Sequence, residues 1–518
     1  MTTTAPPHAD RMDPARASSL VALARGGGEP LEARCPWDGS VLAEVPTSRP
    51  ADVALAVDEA RVAQRAWAAT PIRERAAVMR RVASLVWGRA DDLLDIVQLE
   101  SGKSRVSAFE EVADVALNAA HYARHGARLL RDRRRPGALP VVTRTTEHHR
   151  PCGVVGIIAP WNYPLTLAVS DAMPALIAGN AVVLKPDSQT PLSALAGLEL
   201  LRDAGLPAGV MQVVVGDGPT VGGALVDAVD FVMFTGSTAT GRKVAARCGE
   251  RLIGCSMELG GKNPMLVLSD ADPERAAAGA IPACFSNSGQ LCVSVERIYV
   301  ADEVHDAFVD AFVRRTRAMS LGVGTGWEID MASLASEAHL ATVRAHVDDA
   351  VAKGATVLAG GRARPDLGPT VYEPTILAGV TDDMRCAREE TFGPVVAVHR
   401  VASDDEAVAR ANDTVYGLNA AVWSRRRGTA VAARIEAGTV NVNEGYSAAW
   451  GSLGAPMGGW KDSGLGRRHG TAGILKYTQA QTIADHRGPV IAPFDGMAND
   501  AYARAMTAAV RLLGRIRP

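Results

Sequence analysis

Two short peptides place a carboxylate and a thiol among glycines and other small residues. Residues 257–264 read MELGGKNP and contain Glu258, and residues 288–300 read SGQLCVSVERIYV and contain Cys292. A thiol attacks a carbonyl carbon well once it has become a thiolate. A neighbouring carboxylate can take the proton of that thiol, or of the water molecule that later releases the acyl group. The two peptides therefore indicate covalent catalysis at a carbonyl carbon.

The segments around these peptides alternate between β-rich and helical patterns. Short β-rich runs occur at residues 154–159, 181–185, 211–215 and 231–234, with helical stretches between them. A second alternating block begins near Asn263 and continues to about Asn443. This alternation predicts parallel βαβ units and an α/β fold.

The first part of the chain has a different pattern. Helical periodicity predicts helices over residues 51–69 and 73–98. The N-terminal residues are polar and rich in proline and alanine, and the stretch up to about position 30 is predicted to be a flexible lead-in.

Composition limits the class of protein. The 518 residues suffice for two or three domains, and 47% hydrophobic with 22% charged residues is ordinary for a globular protein. A net charge of -2 gives no reason to expect nucleic acid as a partner. The seven scattered cysteines lack zinc-site spacing, so we expect reduced thiols, a cytoplasmic location and no metal. We expect no integral membrane segment, because no apolar run approaches the roughly 18 residues that one needs.

Three segments suggest a dinucleotide site. GDGPTVG (216–222) follows a β-rich run, but its spacing is not G-x-G-x-x-G, and a plain βα turn explains it equally well. LKPDSQTPLSAL (184–195) and FTGSTATGRKV (234–244) make a stronger case together. Free N–H groups at a helix N-terminus attract phosphate, and glycine permits close approach of the backbone.

These peptides, with APWNYPL (159–165) and EETFGPV (389–395), resemble the signature segments of the NAD(P)-dependent aldehyde dehydrogenase superfamily. The similarity covers most of residues 50–485. It implies an aldehyde dehydrogenase-like α/β fold, with a Rossmann-type cofactor domain, an α/β catalytic domain and an oligomerisation β-hairpin. It also implies oxidation of a small-molecule aldehyde to a carboxylic acid through a cysteine thiohemiacetal and a thioester.

The resemblance assigns three catalytic roles. Cys292 would be the nucleophile, and Asn162 would donate its amide N–H to the oxyanion, a contribution of about 3 kcal/mol at comparable sites. Glu258 would activate water for thioester hydrolysis. CoA-acylating relatives usually lack this glutamate, so Glu258 favours a free carboxylic acid as product. Cys255 and Cys284 are expected to be core residues.

The resemblance also implies a set of cofactor-binding residues. These are Trp161, Lys185, Ser188, Gly216, Gly236, Ser237, Gly241, Leu259, Glu390 and Phe392. Lys185 would reach the adenosine ribose, and the GSTxxG turn would lie near the pyrophosphate. Glu390 and Phe392 would hold the nicotinamide ribose and flank the ring, which Leu259 would help to cover. The residues alone do not separate Glu390 from Glu389; the family register selects Glu390.

Ser188 bears on the choice between NADP and NAD. NAD-preferring relatives usually have a glutamate at this position, and its carboxylate would repel a 2′-phosphate. Ser188 removes that repulsion, and Lys185 can meet the phosphate charge. Asp187 opposes this interpretation with a negative charge of its own. We therefore predict NADP as the preferred cofactor, with NAD as the alternative.

Within the superfamily, the chain resembles bacterial NADP-type succinate-semialdehyde dehydrogenases, which implies succinate semialdehyde as substrate. Better-understood members of that group grip the substrate carboxylate with two arginines, and the matching positions here are Ser170 and Ser286. Loss of those cations removes a strong charge-assisted pairing. Tyr446 and Trp450 are predicted to form a substrate wall, which suits an apolar tail at least as well. A medium-chain aliphatic or aromatic aldehyde is the alternative substrate.

The resemblance further divides the chain and implies an assembly. The predicted parts are a cofactor-binding domain (1–133 and 151–259), a catalytic domain (260–452), oligomerisation segments (134–150 and 472–490) and a C-terminal tail (491–518). A homodimer or homotetramer is expected. In the tail, an apolar helical stripe of Tyr502, Met506, Val510 and Leu513 lies near Arg504, Arg511, Arg515 and Arg517. We expect this stripe to pack on a neighbouring subunit rather than on a membrane surface.

Two other classes remain alternatives. A thiol hydrolase or acyltransferase would use Cys292 without redox chemistry, but it would need a histidine partner that no motif supplies. A silent scaffold would keep the fold alone, and the presence of Asn162, Glu258 and Cys292 together argues against it.

Overall fold

The structure, a computed structural model, describes residues 12–139 and 142–516. Its helices in chain order are α1 (Pro14–Val21), α2 (Pro50–Ala69), α3 (Ile72–Gly88), α4 (Ala90–Ser101), α5 (Arg105–Leu129), α6 (Pro164–Ile177), α7 (Pro191–Asp203), α8 (Gly223–Ala228), α9 (Thr238–Glu250), α10 (Pro273–Phe285), α11 (His305–Arg317), α12 (Glu337–Ala352), α13 (Arg385–Arg388), α14 (Asp404–Asn412), α15 (Gly428–Ala432), α16 (Ser447–Trp450), α17 (Gly470–Leu475) and α18 (Asn499–Ile516). A π-helical turn covers Gly218–Gly222, and 3₁₀ turns cover Ser286–Gly289 and Asp302–Val304.

The strands form two large sheets and three small ones. In chain order they are β1 (Ala24–Arg25), β2 (Pro30–Arg34), β3 (Val41–Pro46), β4 (Arg133–Arg135), β5 (Thr143–Pro151), β6 (Val154–Ile158), β7 (Ala181–Lys185), β8 (Met211–Val214), β9 (Phe231–Thr235), β10 (Gly254–Glu258), β11 (Asn263–Val267), β12 (Val295–Ala301), β13 (Thr356–Ala359), β14 (Thr375–Ala378), β15 (Val395–Val401), β16 (Tyr416–Gly417), β17 (Asn419–Trp423), β18 (Thr439–Val442), β19 (Trp460–Lys461), β20 (Gly464–Leu465) and β21 (Thr478–His486).

The first large sheet has the strand order β1-β8-β7-β6-β9-β10-β20. Strands β6 to β10 pair in parallel, and only β20 is antiparallel to its neighbour. The four strands predicted at residues 154–159, 181–185, 211–215 and 231–234 are confirmed; they are buried on both faces, which is why they read as continuous apolar runs. The strand order reverses at β6, with β7 and β8 on one side and β9 and β10 on the other. Such a reversal opens a crevice at the carboxyl ends of the strands.

The second large sheet has the order β13-β14-β15-β12-β11-β17-β18. It is parallel except for β13, which runs antiparallel to β14. The predicted alternating block between Asn263 and Asn443 is therefore confirmed. Residues 259–262 connect β10 of the first sheet directly to β11 of the second. Apolar side chains cover both faces, and Cys284 lies fully buried among them, as expected for a core thiol.

The chain divides into two compact units. The larger contains the residues up to Leu130 together with Arg150–Gln479, and the smaller contains Arg131–His149 together with the residues from Ala480 onward. Both large sheets belong to the larger unit. The predicted boundary between a cofactor-binding and a catalytic domain stays a prediction.

The smaller unit contains most of a three-stranded sheet of order β21-β5-β4, followed by the long helix α18. On α18, Tyr502 and Met506 are half-buried and Val510 is exposed. The side chains of Leu513 and Arg515, and the whole of Arg517, lie outside the described residues. The oligomerisation segments and the role of the tail stay predictions.

Two local predictions need correction. The helix predicted over residues 73–98 is two helices, α3 and α4, separated at Arg89. Gly88 is a poor helix former, and Asp91 and Asp92 favour a new helix start because they interact well with its dipole. The predicted helix over residues 51–69 is confirmed as α2.

The second correction concerns the lead-in. The described part of it contains α1, whose first turn is capped by Asp13. Leu20 is fully buried, and Arg16 forms ion pairs of 2.7 Å with both Asp92 and Glu199. This segment is therefore part of the folded unit; residues 1–11 lie outside the described residues.

Across residues 12–139 and 142–516, no helix combines the length and the apolar character needed to cross a membrane. The same residues contain no group of three or more His, Cys, Asp or Glu side chains placed to hold a metal ion.

Candidate active site

The predicted catalytic residues lie where strands of the two large sheets begin or end. Asn162 follows β6, Glu258 is the last residue of β10, and Cys292 precedes β12. Because β6 and β10 flank β9 in parallel, their carboxyl ends lie at the same edge of the first sheet. The topology thus brings together three residues that are far apart in the sequence.

The loop that carries Cys292 has a strained and well-anchored backbone. Asn287, Ser288 and Gly289 have consecutive φ values of 51°, 56° and 70°, a left-handed run that is costly for the two non-glycine residues. Asn263 donates from Nδ2 to the main-chain oxygen of Cys292 at 2.8 Å. Such strain persists only where the surroundings determine it, which is typical of a functional loop.

The Cys292 thiol lies in an environment that favours its protonated form. Burial is the main cause that raises its pKa to about 12; Arg468 acts in the opposite direction, and Glu258 and Glu390 act in the same direction as burial. At neutral pH the thiol therefore carries its proton. A nucleophilic role requires a group that removes it.

Glu258 has the properties of such a group. Its Oε1 atom is buried and has no hydrogen-bond partner among the described residues. Burial raises the pKa of Glu258 to about 7, while Arg468 and Lys476 pull it down. A carboxylate with a free oxygen and a pKa close to neutrality can accept a proton and release it again.

Arg468 supplies positive charge next to both residues. It is buried and donates to both carboxylate oxygens of Asp171, at 2.9 and 2.6 Å, and to Thr235 Oγ1 at 2.7 Å. Neither Arg468 nor Asp171 is among the site residues predicted from the sequence. A signal was available in Asp171, an acidic residue inside the otherwise apolar helix α6.

Asn162 is oriented by three neighbours. Its Nδ2 donates to the main-chain oxygen of Gln290 at 3.0 Å, two residues before Cys292. Its own main-chain oxygen accepts from Lys103 Nζ at 2.6 Å and from Asn287 Nδ2 at 2.9 Å. An amide nitrogen has two hydrogens, so one remains for an oxyanion on a substrate attached to Cys292.

A buried ion pair supports this arrangement. Lys103 and Glu111 are both fully buried, with 2.6 Å between Nζ and Oε1. Glu111 Oε2 accepts the main-chain N–H groups of Leu165 and Thr166, in the first turn of α6. The pair thus fixes the segment that carries Asn162. Neither Lys103 nor Glu111 is among the site residues predicted from the sequence. The available signals were a lysine between α4 and α5 and the adjacent Glu110 and Glu111 on a buried helix.

The residues predicted for the adenosine end of a cofactor meet at β7 and β8. Lys185 ends β7 and donates to the main-chain oxygen of Pro186 at 2.9 Å. Ser188 Oγ donates to the main-chain oxygen of Gly216, just after β8, at 2.9 Å. Asp187 accepts from the N–H of Gln189 at 2.9 Å, so its carboxylate already stabilises its own turn.

Helix α9 begins at the carboxyl end of β9, beside the reversal in strand order. Ser237 caps it, and its Oγ accepts the N–H of Thr240 at 3.4 Å. A Cβ atom at Gly241 would overlap the Leu259 side chain, so this glycine lets α9 pack closely on the residue after Glu258. The N–H groups of the first turn of a helix attract anions, so this end of α9 suits a pyrophosphate.

Glu390 and Glu389, which the sequence alone does not distinguish, have different surroundings in the structure. Glu390 Oε1 accepts the N–H of Gly261 at 2.8 Å, next to Glu258 and Leu259, and burial raises its pKa to about 8. Glu389 is exposed and pairs with Arg385 at 3.2 Å. Only Glu390 therefore lies beside the catalytic candidates.

Phe392 and Trp161 lie together near this site. Their ring centroids are 5.5 Å apart, and the rings are nearly perpendicular. Phe392 has a φ of 53°, and its main-chain oxygen accepts from His339 Nε2 at 2.7 Å. The structure therefore brings both predicted cofactor contacts to one place.

A cavity of about 180 Å³ is lined by Leu291, the residue that precedes Cys292 in the chain. Tyr446 and Trp450, the predicted substrate wall, line it together with Tyr163 and Leu291. Cys292 packs against this same apolar cluster. The cavity is therefore the place where the tail of a substrate bound to Cys292 would lie.

Ser170 and Ser286 lie behind that wall rather than in the lining. Ser170 Oγ donates to Asp114 Oδ2 at 2.8 Å, and Ser286 shares a hydrogen bond with the Tyr446 hydroxyl. The structure thus places two of the four predicted substrate residues at the cavity and the other two in its support.

Comparison with known proteins agrees with this fold and site. Residues 23–483 match the aldehyde dehydrogenase family, and the chain belongs to that family. The predicted family and α/β fold are therefore confirmed.

Individual relatives cover almost the whole chain. A protein of Mycolicibacterium smegmatis, provisionally named succinate-semialdehyde dehydrogenase (NADP(+)), is 53% identical over 512 residues, which are 97% of this chain and 98% of that one. The crystal structure of an E. coli NADP dependent enzyme has a TM-score of 0.86 at 35% identity and covers 90% of this chain and 99% of its own. That of succinate-semialdehyde dehydrogenase from Burkholderia pseudomallei has a TM-score of 0.86 at 36% identity, with 92% and 99% coverage.

Proposed function

We propose that this protein oxidises an aldehyde to the carboxylic acid with NADP⁺, through a thioester on Cys292. The observation that carries the proposal is the placement of Glu258, a buried carboxyl with one unpartnered oxygen and a pKa of about 7, beside that thiol. A cysteine that only fills the core does not require a buried carboxyl with an unpartnered oxygen beside it, because burial of such a group costs free energy.

The first step forms a carbon–sulfur bond. Glu258 removes the proton of the thiol, Arg468 stabilises the thiolate, and the sulfur attacks the aldehyde carbon. The free N–H of the Asn162 amide donates to the oxyanion that develops on the substrate oxygen. A bound NADP⁺ would supply the acceptor for the hydride of the thiohemiacetal carbon, and the acyl group would then remain on Cys292 as a thioester.

The second step returns the enzyme to its starting state. Glu258 first releases the thiol proton to solvent, and it then takes a proton from a water molecule while the water oxygen bonds to the acyl carbon. The carbon–sulfur bond then breaks, the carboxylic acid leaves, and the electron pair returns to the sulfur of Cys292, which regains a proton from solvent. The pKa of about 7 lets Glu258 accept this proton near neutral pH and release it to solvent afterwards.

The residues present suit NADP⁺. Lys185 and Ser188 would hold the adenosine ribose and its 2′-phosphate, because position 188 has no carboxylate and that of Asp187 is hydrogen-bonded within its own turn. The first turn of α9 would hold the pyrophosphate, with Gly236 and Ser237 at its start. Glu390, Phe392 and Leu259 would hold the nicotinamide end. NAD⁺ is the alternative cofactor.

Two substrate classes are candidates. The names of the relatives support succinate semialdehyde, whose oxidation gives succinate. A specific observation favours the second class, uncharged medium-chain aliphatic or aromatic aldehydes. None of the residues that line the 180 Å³ cavity in the described part of the chain is basic, so no cation there meets a substrate carboxylate.

The reaction is tested by cofactor reduction. We expect NADPH absorbance to appear when the enzyme is mixed with NADP⁺ and either succinate semialdehyde or hexanal, and alkylation of Cys292 to abolish it. A Cys292→Ala variant that still reduced the cofactor would exclude the mechanism.

For the assembly, we propose a cytoplasmic homodimer or homotetramer in which residues 134–150 and 472–490 pair across subunits. The three-stranded sheet of the smaller unit supports this, because it presents strands β4 and β21 at its two edges. Light scattering gives the mass in solution, and a monomer would contradict the proposal.

A further inference from the structure

The 180 Å³ cavity lined by Leu291, which we call the tail cavity, has two acidic side chains in its lining, Glu110 and Asp114; we call these two residues the acidic wall. Glu110 and Asp114 lie one turn apart on α5, and both line the cavity. We infer that the cavity selects an aldehyde whose far end carries a positive charge, such as an ammonium group, over one that ends in a carboxylate. This inference rests on the proposed function and names the substrate class for the same site.

Glu110 is held by two tyrosines that themselves line the cavity. Its Oε1 accepts the hydroxyl of Tyr446 at 2.9 Å, and its Oε2 accepts that of Tyr163 at 2.8 Å. Each carboxylate oxygen can accept more than one hydrogen bond, so capacity remains for a donor in the cavity.

Asp114 is held in the same manner. Its Oδ1 accepts from Trp450 Nε1 at 2.7 Å and from Asn118 Nδ2 at 3.0 Å, and its Oδ2 accepts from Ser170 at 2.8 Å. All these donors are neutral, as are the two tyrosines around Glu110. Hydrogen bonds from neutral groups fix the two side chains in place without adding a positive charge beside them.

Two nearby cations that act on these carboxyls are already paired with other residues. Lys103 is close enough to Glu110 to affect it, but it forms its ion pair with Glu111. The positive charge of Arg468 lowers the pKa of Asp114, but Arg468 forms its ion pair with Asp171. Within the described residues, neither Glu110 nor Asp114 has an ion-pair partner. Burial raises the pKa of both carboxyls, that of Asp114 to about 6, so Asp114 carries a negative charge above that pH. A cation in the cavity would favour the charged form of Glu110 as well.

The rest of the lining adds to this preference. Tyr163, Tyr446 and Trp450 line the cavity, and aromatic rings attract cations through the negative charge on their faces. Ser170 and Ser286, at the positions where an arginine would grip a carboxylate, instead support this acidic and aromatic wall. A carboxylate in the cavity would therefore lose its water and gain only like charges.

Two pairs of aldehydes of matched shape isolate the effect of charge. (2-Oxoethyl)trimethylammonium and 3,3-dimethylbutanal differ by one positive charge, and succinate semialdehyde and its methyl ester differ by one negative charge. We would measure kcat/KM for all four with NADP⁺ at about pH 8, where Asp114, with a pKa of about 6, is ionised. We expect the cation to exceed its neutral partner by at least about tenfold, and the ester to exceed succinate semialdehyde by a similar factor. Equal or reversed ratios would overturn the inference.

Variants of Glu110 and Asp114 test whether the acidic wall causes the two ratios of kcat/KM. In Glu110→Gln and Asp114→Asn we expect both charge ratios to fall below about threefold, because each change removes an ionisable carboxyl while the shape is kept. Each ratio compares two substrates on the same sample, so partial misfolding of a variant does not change it. The control is Asp310→Asn, an exposed carboxylate on α11, which should keep both ratios. If both wall variants kept the ratios of the unchanged enzyme, the acidic wall would not be their source.

The same measurements distinguish an error in the proposed function from an error in the inference about the cavity. If no aldehyde in the set reduces NADP⁺ or NAD⁺, the proposed function is wrong. If all four are oxidised without discrimination by charge, the function stands and only the inference about the tail is wrong.

Discussion

Lys103 joins Glu111 to Asn162 inside the protein: its Nζ lies 2.6 Å from Glu111 Oε1 and 2.6 Å from the main-chain oxygen of Asn162. The buried ion pair therefore positions the residue that we expect to stabilise the oxyanion. Both partners are fully buried, so removal of one leaves an uncompensated charge in the interior.

Lys103→Met should destabilise the protein by about 3–5 kcal/mol, because the Glu111 carboxylate is left buried without its cation. The midpoint of urea unfolding, followed by circular dichroism, measures this. The double variant Lys103→Met/Glu111→Gln removes both charges and keeps an oxygen for the N–H groups of Leu165 and Thr166, so it should recover part of the loss. Equal midpoints for Lys103→Met and the unchanged protein would mean that the pair has no structural role.

Asn162→Ala tests the oxyanion donor itself. We expect kcat to fall by about 10²–10³-fold, the loss typical of one such donor, while alkylation of Cys292 continues at its usual rate because the thiol is untouched. Steady-state NADPH formation and mass spectrometry of the alkylated peptide give the two quantities. A kcat within threefold of the unchanged enzyme would remove Asn162 from the mechanism.

An element could be predicted from the sequence where the residues that determine its structure lie within one continuous segment. Strands β6 to β9 could be predicted because burial on both faces makes each a continuous apolar run. The break between α3 and α4 was missed because helical periodicity continues through it and only Gly88 indicates a stop. Similarly, α1 was missed because its packing depends on contacts of Arg16 with residues 76 and 183 positions away.

The same reasoning applies to the site. Cys292, Glu258 and Asn162 could be named because each stands in a motif of its own. The pairing of Arg468 with Asp171 could not be predicted, although Asp171 stands out in an apolar helix, since the two are 297 residues apart and meet only when α6 packs against the segment after β20. The acidic wall was missed for a related reason: a Glu and an Asp on a helix usually face solvent, and only the fold places Glu110 and Asp114 against a cavity.

The pKa of Glu258 predicts a pH dependence. Burial raises this pKa to about 7, so the carboxyl is mainly protonated below pH 7 and becomes the active base above it. Under conditions where hydrolysis of the thioester limits turnover, kcat should therefore rise as the pH passes upward through about 7 and then level off. A flat profile across this range would contradict the assignment.

Glu258→Gln separates the two chemical steps. Without the base for water, we expect a burst of at most one NADPH per active site, followed by turnover about 10²–10⁴-fold slower than in the unchanged enzyme. Rapid-mixing absorbance shows the burst, and hydroxylamine should capture the accumulated thioester. Steady turnover at the normal rate would show that another group activates the water.

Arg468 should control the reactivity of Cys292. Burial raises the pKa of the thiol to about 12 and Arg468 lowers it, so Arg468→Met should slow alkylation by iodoacetamide at pH 8 by at least about tenfold. Mass spectrometry of the peptide that contains Cys292 measures the rate, and fully buried Cys284 reports any unfolding, because it should stay unlabelled in the native state. Arg314→Met, at an exposed ion pair on α11, is the control. Unchanged alkylation in Arg468→Met would exclude an electrostatic role.

Ser188→Glu tests the preference for NADP⁺. Ser188 is hydrogen-bonded to the main-chain oxygen of Gly216 at the end of β8, so a glutamate there would bring its carboxylate to the adenosine ribose. Repulsion of the 2′-phosphate should raise the KM for NADP⁺ by at least about tenfold, while the KM for NAD⁺ changes little or falls. Ser188→Gln has nearly the same shape without the charge and separates repulsion from steric crowding. If the two variants weakened NADP⁺ equally, the 2′-phosphate would not lie beside this residue and the predicted cofactor preference would lose its structural basis.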